Sequence, residues 1–150
     1  MPKVFTSEKQ KIGEMGENLA ERFLVKHGFS VLDRNYTKKW GELDIVIEKD
    51  NKIHFIEVKS VSYETLKDVF ISSLHKYDDV SYETSDNIDS YRPEDNMHPW
   101  KMKRMSRTIQ TYLLDRRIDE DKDWQVDLLI VYLDMNNKKA KIKVVKDIIL

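Results

Sequence analysis

The chain has 150 residues, 40% of them hydrophobic, which is long enough to bury a core within one domain spanning residues 1–150. It contains no cysteine, which excludes disulfide bonds and thiolate metal sites, and its 26 basic and 27 acidic residues leave a net charge of −1. No apolar run approaches the length of a membrane span, and the first residues lack the apolar segment of a signal peptide. We therefore expect a cytoplasmic protein that has no membrane partner.

The N-terminal segment predicts an amphipathic helix over about residues 8–27. Ser7 and Gln10 have the spacing of a capping box, and the apolar residues that follow recur at helical spacing. Gly13 and Gly16 lie inside this helix, where each costs roughly 1 kcal/mol relative to alanine. They suggest that another backbone approaches closely, although two tolerated weak positions are the alternative.

Three strands are predicted after this helix, because β-branched and apolar residues replace the helical period. The second and third strands flank Asp50-Asn51, which is a plausible tight turn, so they should form a β-hairpin. The predicted strands cover residues 30–36, 42–49 and 52–59.

A long polar segment, about 60–97, follows the hairpin. It contains three basic and nine acidic residues, a balance of −6. One helix is expected around 66–74, whereas 78–96 has the composition of a loop. Pro99 then fits the first turn of a second long helix, which should extend to about Arg117.

Two further strands are predicted at about 125–133 and 140–146. Asp127 lies among apolar residues in the first of them, and we expect it to be a sheet-edge carboxylate rather than a metal ligand. The order of elements is α-β-β-β-α-β-β, which predicts an α/β fold with a mixed β-sheet flanked by helices.

The predicted register of the hairpin brings charged side chains together. If Asp50-Asn51 is the central turn, Asp44 faces Glu57 and Glu42 faces Lys59 on one side of the hairpin. The other side is nearly all apolar and should face the core; it carries Leu43, Ile45, Ile47, His54, Ile56 and Val58.

Two opposed carboxylates are unusual at this position. At about 5 Å they repel by roughly 3 kcal/mol at an effective dielectric constant of about 20. Such a pair persists if it is hydrated, shares a proton or holds a cation, and two carboxylates with waters suit Mg²⁺. Lys59 would then orient a water molecule or stabilise charge on a phosphoryl group. The alternation is also typical of a solvated strand face, on which Lys59 would simply neutralise Glu42.

Several blocks of the sequence resemble the YraN family, whose members are expected to adopt the PD-(D/E)xK, restriction-endonuclease-like fold. The resemblance rests on GEMGENLAERFLVKHGF, NYTKKWGELDIVI and IHFIEVKS, and further on HPWKMKRMSRTIQTYL and QVDLLIVYL. The chain is similar, more distantly, to archaeal Holliday-junction resolvases, which share the glutamate helix and the ExK hairpin.

The resemblance implies a site, residue by residue. Glu17 corresponds to the first acidic residue, Asp44 to the aspartate of the degenerate PD element, and Glu57 and Lys59 to the ExK. It implies a Mg²⁺- or Mn²⁺-dependent nuclease acting on DNA phosphodiester bonds, including branched DNA. Glu17, Asp44 and Glu57 would hold the metal and Lys59 would activate water. Junction processing would favour a homodimer.

Two other functions are compatible with the sequence. One is a non-catalytic nucleic-acid-binding or scaffold protein that retains the nuclease fold. The other is an interaction module that acts through residues 60–97.

The second predicted helix is strongly basic, because residues 98–117 contain six basic residues and one acidic residue, a balance of +5. We expect four of its side chains to bind a nucleic-acid backbone, namely Lys101, Lys103, Arg104 and Arg107. A solvated helix face paired with the acidic segment is the alternative. Trp40 and Trp100 could stack on unpaired bases, although such residues are more often partly buried caps of a core.

Overall fold

Six strands form one mixed sheet between two helices. The computed structural model describes residues 7–62, 98–148 and 150, and the backbone of 79–84. The helices are α1 (Glu8–Lys26) and α2 (Pro99–Asp115), and the strands are β1 (Ser30–Lys38), β2 (Gly41–Lys49), β3 (Lys52–Ser62), β4 (Asp79–Thr84), β5 (Asp123–Asp134) and β6 (Lys139–Val145). Their order in the sheet is β1-β2-β3-β5-β6-β4. No helix in the described part of the chain combines the length and apolar character needed to cross a membrane.

Most elements lie where the sequence predicts them. The capping box of α1 is formed, because Ser7 Oγ accepts a hydrogen bond from the Gln10 backbone at 3.1 Å and Gln10 Oε1 accepts one from the Ser7 backbone at 3.3 Å. The predicted order of helices and strands is found, with one addition. The helix expected at 66–74 lies outside the described residues.

The additional strand, β4, corrects the prediction of a loop over 78–96. Its backbone pairs in parallel with β6, from Asp79–Lys139 to Thr84–Val144. A strand edge exposes unpaired amide and carbonyl groups, and a neighbouring segment can satisfy them whatever its composition. The polar composition of this segment therefore did not reveal its pairing.

The two faces of the sheet carry separate apolar clusters. One side packs against α1, where Met15, Leu19 and Leu24 meet Ile45, Ile47 and Ile56. The other side packs against α2, whose Met105, Ile109 and Tyr112 meet Val46, Ile53 and Phe55. The hairpin face that carries the carboxylates is therefore largely covered by α2, and is not a solvated strand face.

The hairpin register is confirmed over its first five pairs, from Lys49–Lys52 to Ile45–Ile56. Asp50 and Asn51 have positive φ angles of 50° and 64°, as a two-residue turn that matches strand twist requires.

Beyond Ile45 the two strands of the hairpin no longer pair with each other. β3 continues beside β5 as far as Ser62–Leu133, whereas the start of β2 stays with β1, where Glu42 pairs with Thr37. The predicted pairing of Glu42 with Lys59 is therefore wrong.

Leu43 lies on the opposite face of the sheet from the one predicted. It pairs with Tyr36 of β1 and belongs to the cluster under α2, whereas the prediction placed it with Ile45 and Ile47. The strict alternation assumed from the sequence holds only where the hairpin is paired.

Asp127 is not at a sheet edge, because β5 lies between β3 and β6 in the sheet. It is 5% exposed, and its carboxylate lies 2.7 Å from His54 Nδ1. It also accepts hydrogen bonds from the Gln125 side chain at 2.7 Å and the Asp147 backbone at 2.9 Å. These partners compensate the cost of burying the carboxylate. Burial by itself raises the pKa of Asp127, but the hydrogen bonds from His54, Asp147 and Gln125 outweigh it, so the pKa is lowered.

The two glycines of α1 have different roles, and this gives a test of the packing. A Cβ atom at Gly16 would lie 1.8 Å from Ser60 Oγ and 3.0 Å from Ser60 Cβ, whereas a Cβ at Gly13 would meet nothing within 4 Å. We expect Gly16→Ala to destabilise the protein by about 1–3 kcal/mol through overpacking. Gly13→Ala should stabilise it by up to about 1 kcal/mol through helix propensity. Urea unfolding of both variants measures the difference, and equal effects would contradict the close approach at Gly16.

Candidate functional site

The divergence of β2 from β3 leaves a pocket of about 390 Å³ beside the first turns of α2. Three carboxylates and four cationic side chains lie around it, so the site is strongly polar. The lining residues are Thr37, Lys38, Lys39, Gly41, Glu42, Asp44, Glu57, Lys101, Arg104 and Met105.

Asp44 occupies the point where the hairpin pairing stops. Its Oδ2 accepts a hydrogen bond of 2.9 Å from the backbone amide of Val58, so the side chain satisfies the donor that β2 no longer reaches. This contact fixes the carboxylate beside Glu57. The predicted juxtaposition of Asp44 and Glu57 is therefore found at the pocket, although through a side-chain contact rather than a continued ladder.

The charge of Asp44 is unfavourable in this environment. Burial raises its pKa well above the ordinary value of 3.8, and the negative charges of Glu57, Glu17 and Glu42 raise it further. The hydrogen bond from Val58 opposes this shift but does not cancel it. Either a proton or a cation would relieve the repulsion among these carboxylates.

Glu57 already has one cationic partner. Lys101 Nζ lies 2.7 Å from Glu57 Oε1, and the two side chains are 47% and 12% exposed. An ammonium from α2 therefore reaches the carboxylate that faces the pocket. The sequence predicted Lys101 as a nucleic-acid contact, and the structure adds this ion pair.

Glu17 is not among the residues that line the pocket, and it has partners of its own. Arg34 Nη2 lies 3.3 Å from its Oε2. With its amide nitrogen turned toward the two carboxylates, Asn35 donates to Glu17 Oε2 at 3.2 Å and to Glu42 Oε1 at 3.0 Å. Glu17 is thus linked to the pocket through Asn35 and Glu42. Nothing in the sequence singled out Arg34 or Asn35, because their role depends on where β1 meets α1.

The donor set for a metal is small. Among residues 7–62 and 98–148, no group of three or more acidic or histidine side chains is arranged to hold an ion. Asp44 and Glu57 remain as two carboxylates, which with waters is a set that Mg²⁺ accepts. Lys59 is two positions beyond Glu57 on β3, and within the described chain it is not among the residues lining the pocket.

The basic residues of α2 differ in their surroundings. Arg104 lines the pocket and lies over the Trp100 ring, 4.1 Å from its centre, while Arg107 lies 4.4 Å from the centre of the Trp40 ring. Lys103 is exposed. The helix is held close to β2 because Gly41 faces Thr108, where a Cβ atom would approach Oγ1 to 2.3 Å.

The fold and the pocket define a mixed α/β protein with a carboxylate-bearing site at the point where two strands separate. The chain belongs to the uncharacterised protein family UPF0102, the YraN family, whose family model matches residues 16–131. The matched region contains all four residues of the predicted catalytic set.

Relatives and a solved structure can be compared with the chain. A UPF0102 protein of Campylobacter fetus subsp. fetus is 33% identical over 121 residues, which cover 79% of this chain and 81% of that protein. One from Caldicellulosiruptor bescii is 26% identical over 139 residues, covering 92% and 96%. A structure of Pyrococcus furiosus SfsA in complex with Ca²⁺ matches with a TM-score of 0.31 and 12% identity, covering 97% of this chain and 73% of that chain. Similarity at that level does not define a shared fold.

Because the negative charge of Asp44 is unfavourable in the folded chain, we expect a variant that removes this charge to be more stable, by an amount that depends on pH. Because folding raises its pKa, the folded chain holds the proton more tightly, and stability is lost as pH rises from 3.8 through the raised value. Without divalent cations, Asp44→Asn should therefore melt at a higher temperature than the wild type at pH 8. The advantage should shrink toward pH 4, because Asp44 in the folded chain then carries its proton and no longer adds a negative charge to the pocket.

Glu48→Gln is the matched control for this measurement. Glu48 lies on the same strand but pairs with Lys122 at 2.7 Å, away from the pocket. Its neutralisation should not stabilise the protein. A lower melting temperature for Asp44→Asn at pH 8 would show that the Asp44 charge is not a cost to the fold.

Proposed function

We propose that this protein is a divalent-cation-dependent nuclease with a restriction-endonuclease-like fold, which hydrolyses DNA phosphodiester bonds. The observation that carries the proposal is the pairing of Asp44 and Glu57 at one pocket, where burial and mutual repulsion disfavour the charge on Asp44. The resemblance to the PD-(D/E)xK pattern supports the same residues. Mg²⁺ and Mn²⁺ are the proposed cofactors, and the cytoplasm is the expected location.

In this proposal Asp44 and Glu57 would hold the cation, and Glu17 would act through Asn35 and Glu42 or through a bound water. A bound divalent cation supplies Lewis-acid stabilisation of phosphoryl charge and lowers the pKa of a coordinated water. Lys59 would orient the attacking water or stabilise charge on the phosphate. Lys101 would leave Glu57 and contact the phosphate instead, because its side chain is already half exposed.

The remaining basic side chains would bind the DNA backbone. Lys38, Lys39 and Arg104 line the pocket, and Lys103 and Arg107 extend the positive surface along α2. Branched DNA is a proposed substrate, and a homodimer would place two such sites on a symmetric junction.

The competing function is nucleic-acid binding without catalysis. One specific observation favours it: Glu57 and Glu17 each have a cationic partner within the protein, Lys101 and Arg34 respectively. Metal binding and cleavage must therefore be measured separately.

Calorimetry with Mn²⁺ tests the metal site. The wild type should bind the ion, Asp44→Asn should not, and Glu48→Gln should behave as the wild type, because it removes a carboxylate outside the pocket. If the wild type binds no divalent ion, the proposal of a divalent-cation-dependent nuclease is wrong.

Cleavage assays on linear duplex, single-stranded and four-way-junction DNA test the activity. We expect Lys59→Ala to lower the rate by about 10²- to 10³-fold, as for removal of a group that stabilises transition-state charge, while Mn²⁺ and DNA binding persist. Binding of DNA without cleavage in Mg²⁺ or Mn²⁺ would establish the competing function.

Lys101 offers a further prediction at the same pocket. Its ammonium competes with a cation for Glu57, so Lys101→Met should tighten Mn²⁺ binding by about two- to fivefold, the range expected for a partly exposed ion pair. Lys103→Met removes the same charge from the same helix outside the pocket lining, and should change the affinity less. Weaker Mn²⁺ binding by Lys101→Met would mean that Lys101 supports the cation site rather than competing for it.

A further inference from the structure

Two tryptophan–arginine pairs lie side by side along one side of α2. Trp100 and Arg104 are one turn apart on the helix, and Arg107 lies a further turn on, against Trp40 from the β1–β2 turn. We call the Trp100–Arg104 pair, together with the adjoining Trp40–Arg107 pair, the stacking surface. Arg104 belongs both to this surface and to the pocket lining, so the two are contiguous.

Core packing does not account for this arrangement. Trp100 is 57% exposed, and neither of the two core clusters of the described residues includes Trp100 or Trp40. Tryptophan is highly buried on average, and an exposed cation–π contact contributes only about 0.5–1 kcal/mol. The sequence-based expectation that both indoles are caps of the core is therefore not met for Trp100.

The chemistry of the surface fits an unpaired base beside a phosphate. Arg104 covers one face of the Trp100 ring and the His98 ring lies 6.3 Å away, so a base would stack on the part of the indole that these two leave exposed. Arg104 and Lys101 supply positive charge at the adjoining pocket. Bases stack on aromatic side chains with little sequence preference. Inside a duplex the neighbouring base pairs already cover both faces of each base, so away from the duplex ends an unpaired base is needed to present a face to the indole.

We infer that Trp100 stacks on an unpaired base next to the phosphate in the pocket, so that the preferred substrate is a nucleic-acid strand with unpaired nucleotides at the site. The inference rests on the proposed function for the role of the pocket. It deepens that function by naming the feature that selects the substrate. Trp40 and Arg107 extend the surface along the strand, where Arg107 meets the next phosphates.

Binding measured without cleavage tests the inference. Fluorescence anisotropy in EDTA compares a labelled 20-nucleotide oligothymidylate with a 20-base-pair duplex at several salt concentrations. Trp100→Leu should weaken oligothymidylate binding by about five- to hundredfold, the range found for loss of one base–aromatic stack, and change duplex binding less than twofold. Trp100→Phe keeps a π-face and should retain most of the affinity.

Two controls separate stacking from other effects. Trp124→Leu removes another partly exposed indole, 37% exposed and packed against Phe55 of β3, and should leave both probes unaffected. The slope of log affinity against log salt should stay unchanged in Trp100→Leu, because no charge is lost, whereas Arg104→Leu should reduce it. An unchanged melting temperature for Trp100→Leu shows that the fold is intact.

The inference and the proposed function can fail separately. Equal losses on both probes, no loss on oligothymidylate, or a reduced salt slope in Trp100→Leu would overturn the inference, even if the protein cleaves DNA. Selective loss on oligothymidylate in a protein that cleaves nothing would support the stacking surface and exclude the nuclease.

Discussion

The separation of β2 from β3 at Ile45–Ile56 is the constraint on which the site depends. β3 stays paired with β5 along its whole length and β2 stays paired with β1 as far as Gly41, whereas the pairing between β2 and β3 ends after five pairs. The opening exposes one backbone donor of β3, the Val58 amide, and the Asp44 carboxylate accepts its hydrogen bond. The end of the β2–β3 pairing therefore positions a carboxylate at the pocket.

The pocket balances opposite charges rather than concentrating one sign. The strands contribute the carboxylates of Glu42, Asp44 and Glu57 to its lining, and α2 contributes the cationic side chains of Lys101 and Arg104. Close contact at Gly41 holds the helix near enough for Lys101 to reach Glu57 at 2.7 Å. The same contact places the Trp100–Arg104 pair at the pocket rim.

Stability and ligand binding are opposed at Asp44. The negative charge that would hold a cation destabilises the folded state until a proton or a cation neutralises it.

Much of the fold could be predicted because local rules govern it. The Ser7–Gln10 capping box, the Asp50-Asn51 turn and the alternating apolar residues of the hairpin are each decided by neighbours within a few positions. The assignment of Glu42 to Lys59 failed because it extended the register of the turn past Ile45, where the pairing of β2 with β3 ends. β4 was missed because its pairing depends on the free edge of β6, and Asp127 was misplaced because strand order in a mixed sheet is not encoded locally.

The sequence by itself determined the residue types of the candidate site, Asp44, Glu57 and Lys59 on a hairpin and a basic second helix, and its motifs led to the correct family. Only the tertiary structure decided how those residues meet. It paired Lys101 with Glu57, linked Glu17 to the pocket through Asn35, and left Trp100 exposed beside Arg104. The physical reason is that these contacts join segments far apart in the chain, and their geometry is set by sheet order and helix docking rather than by periodicity.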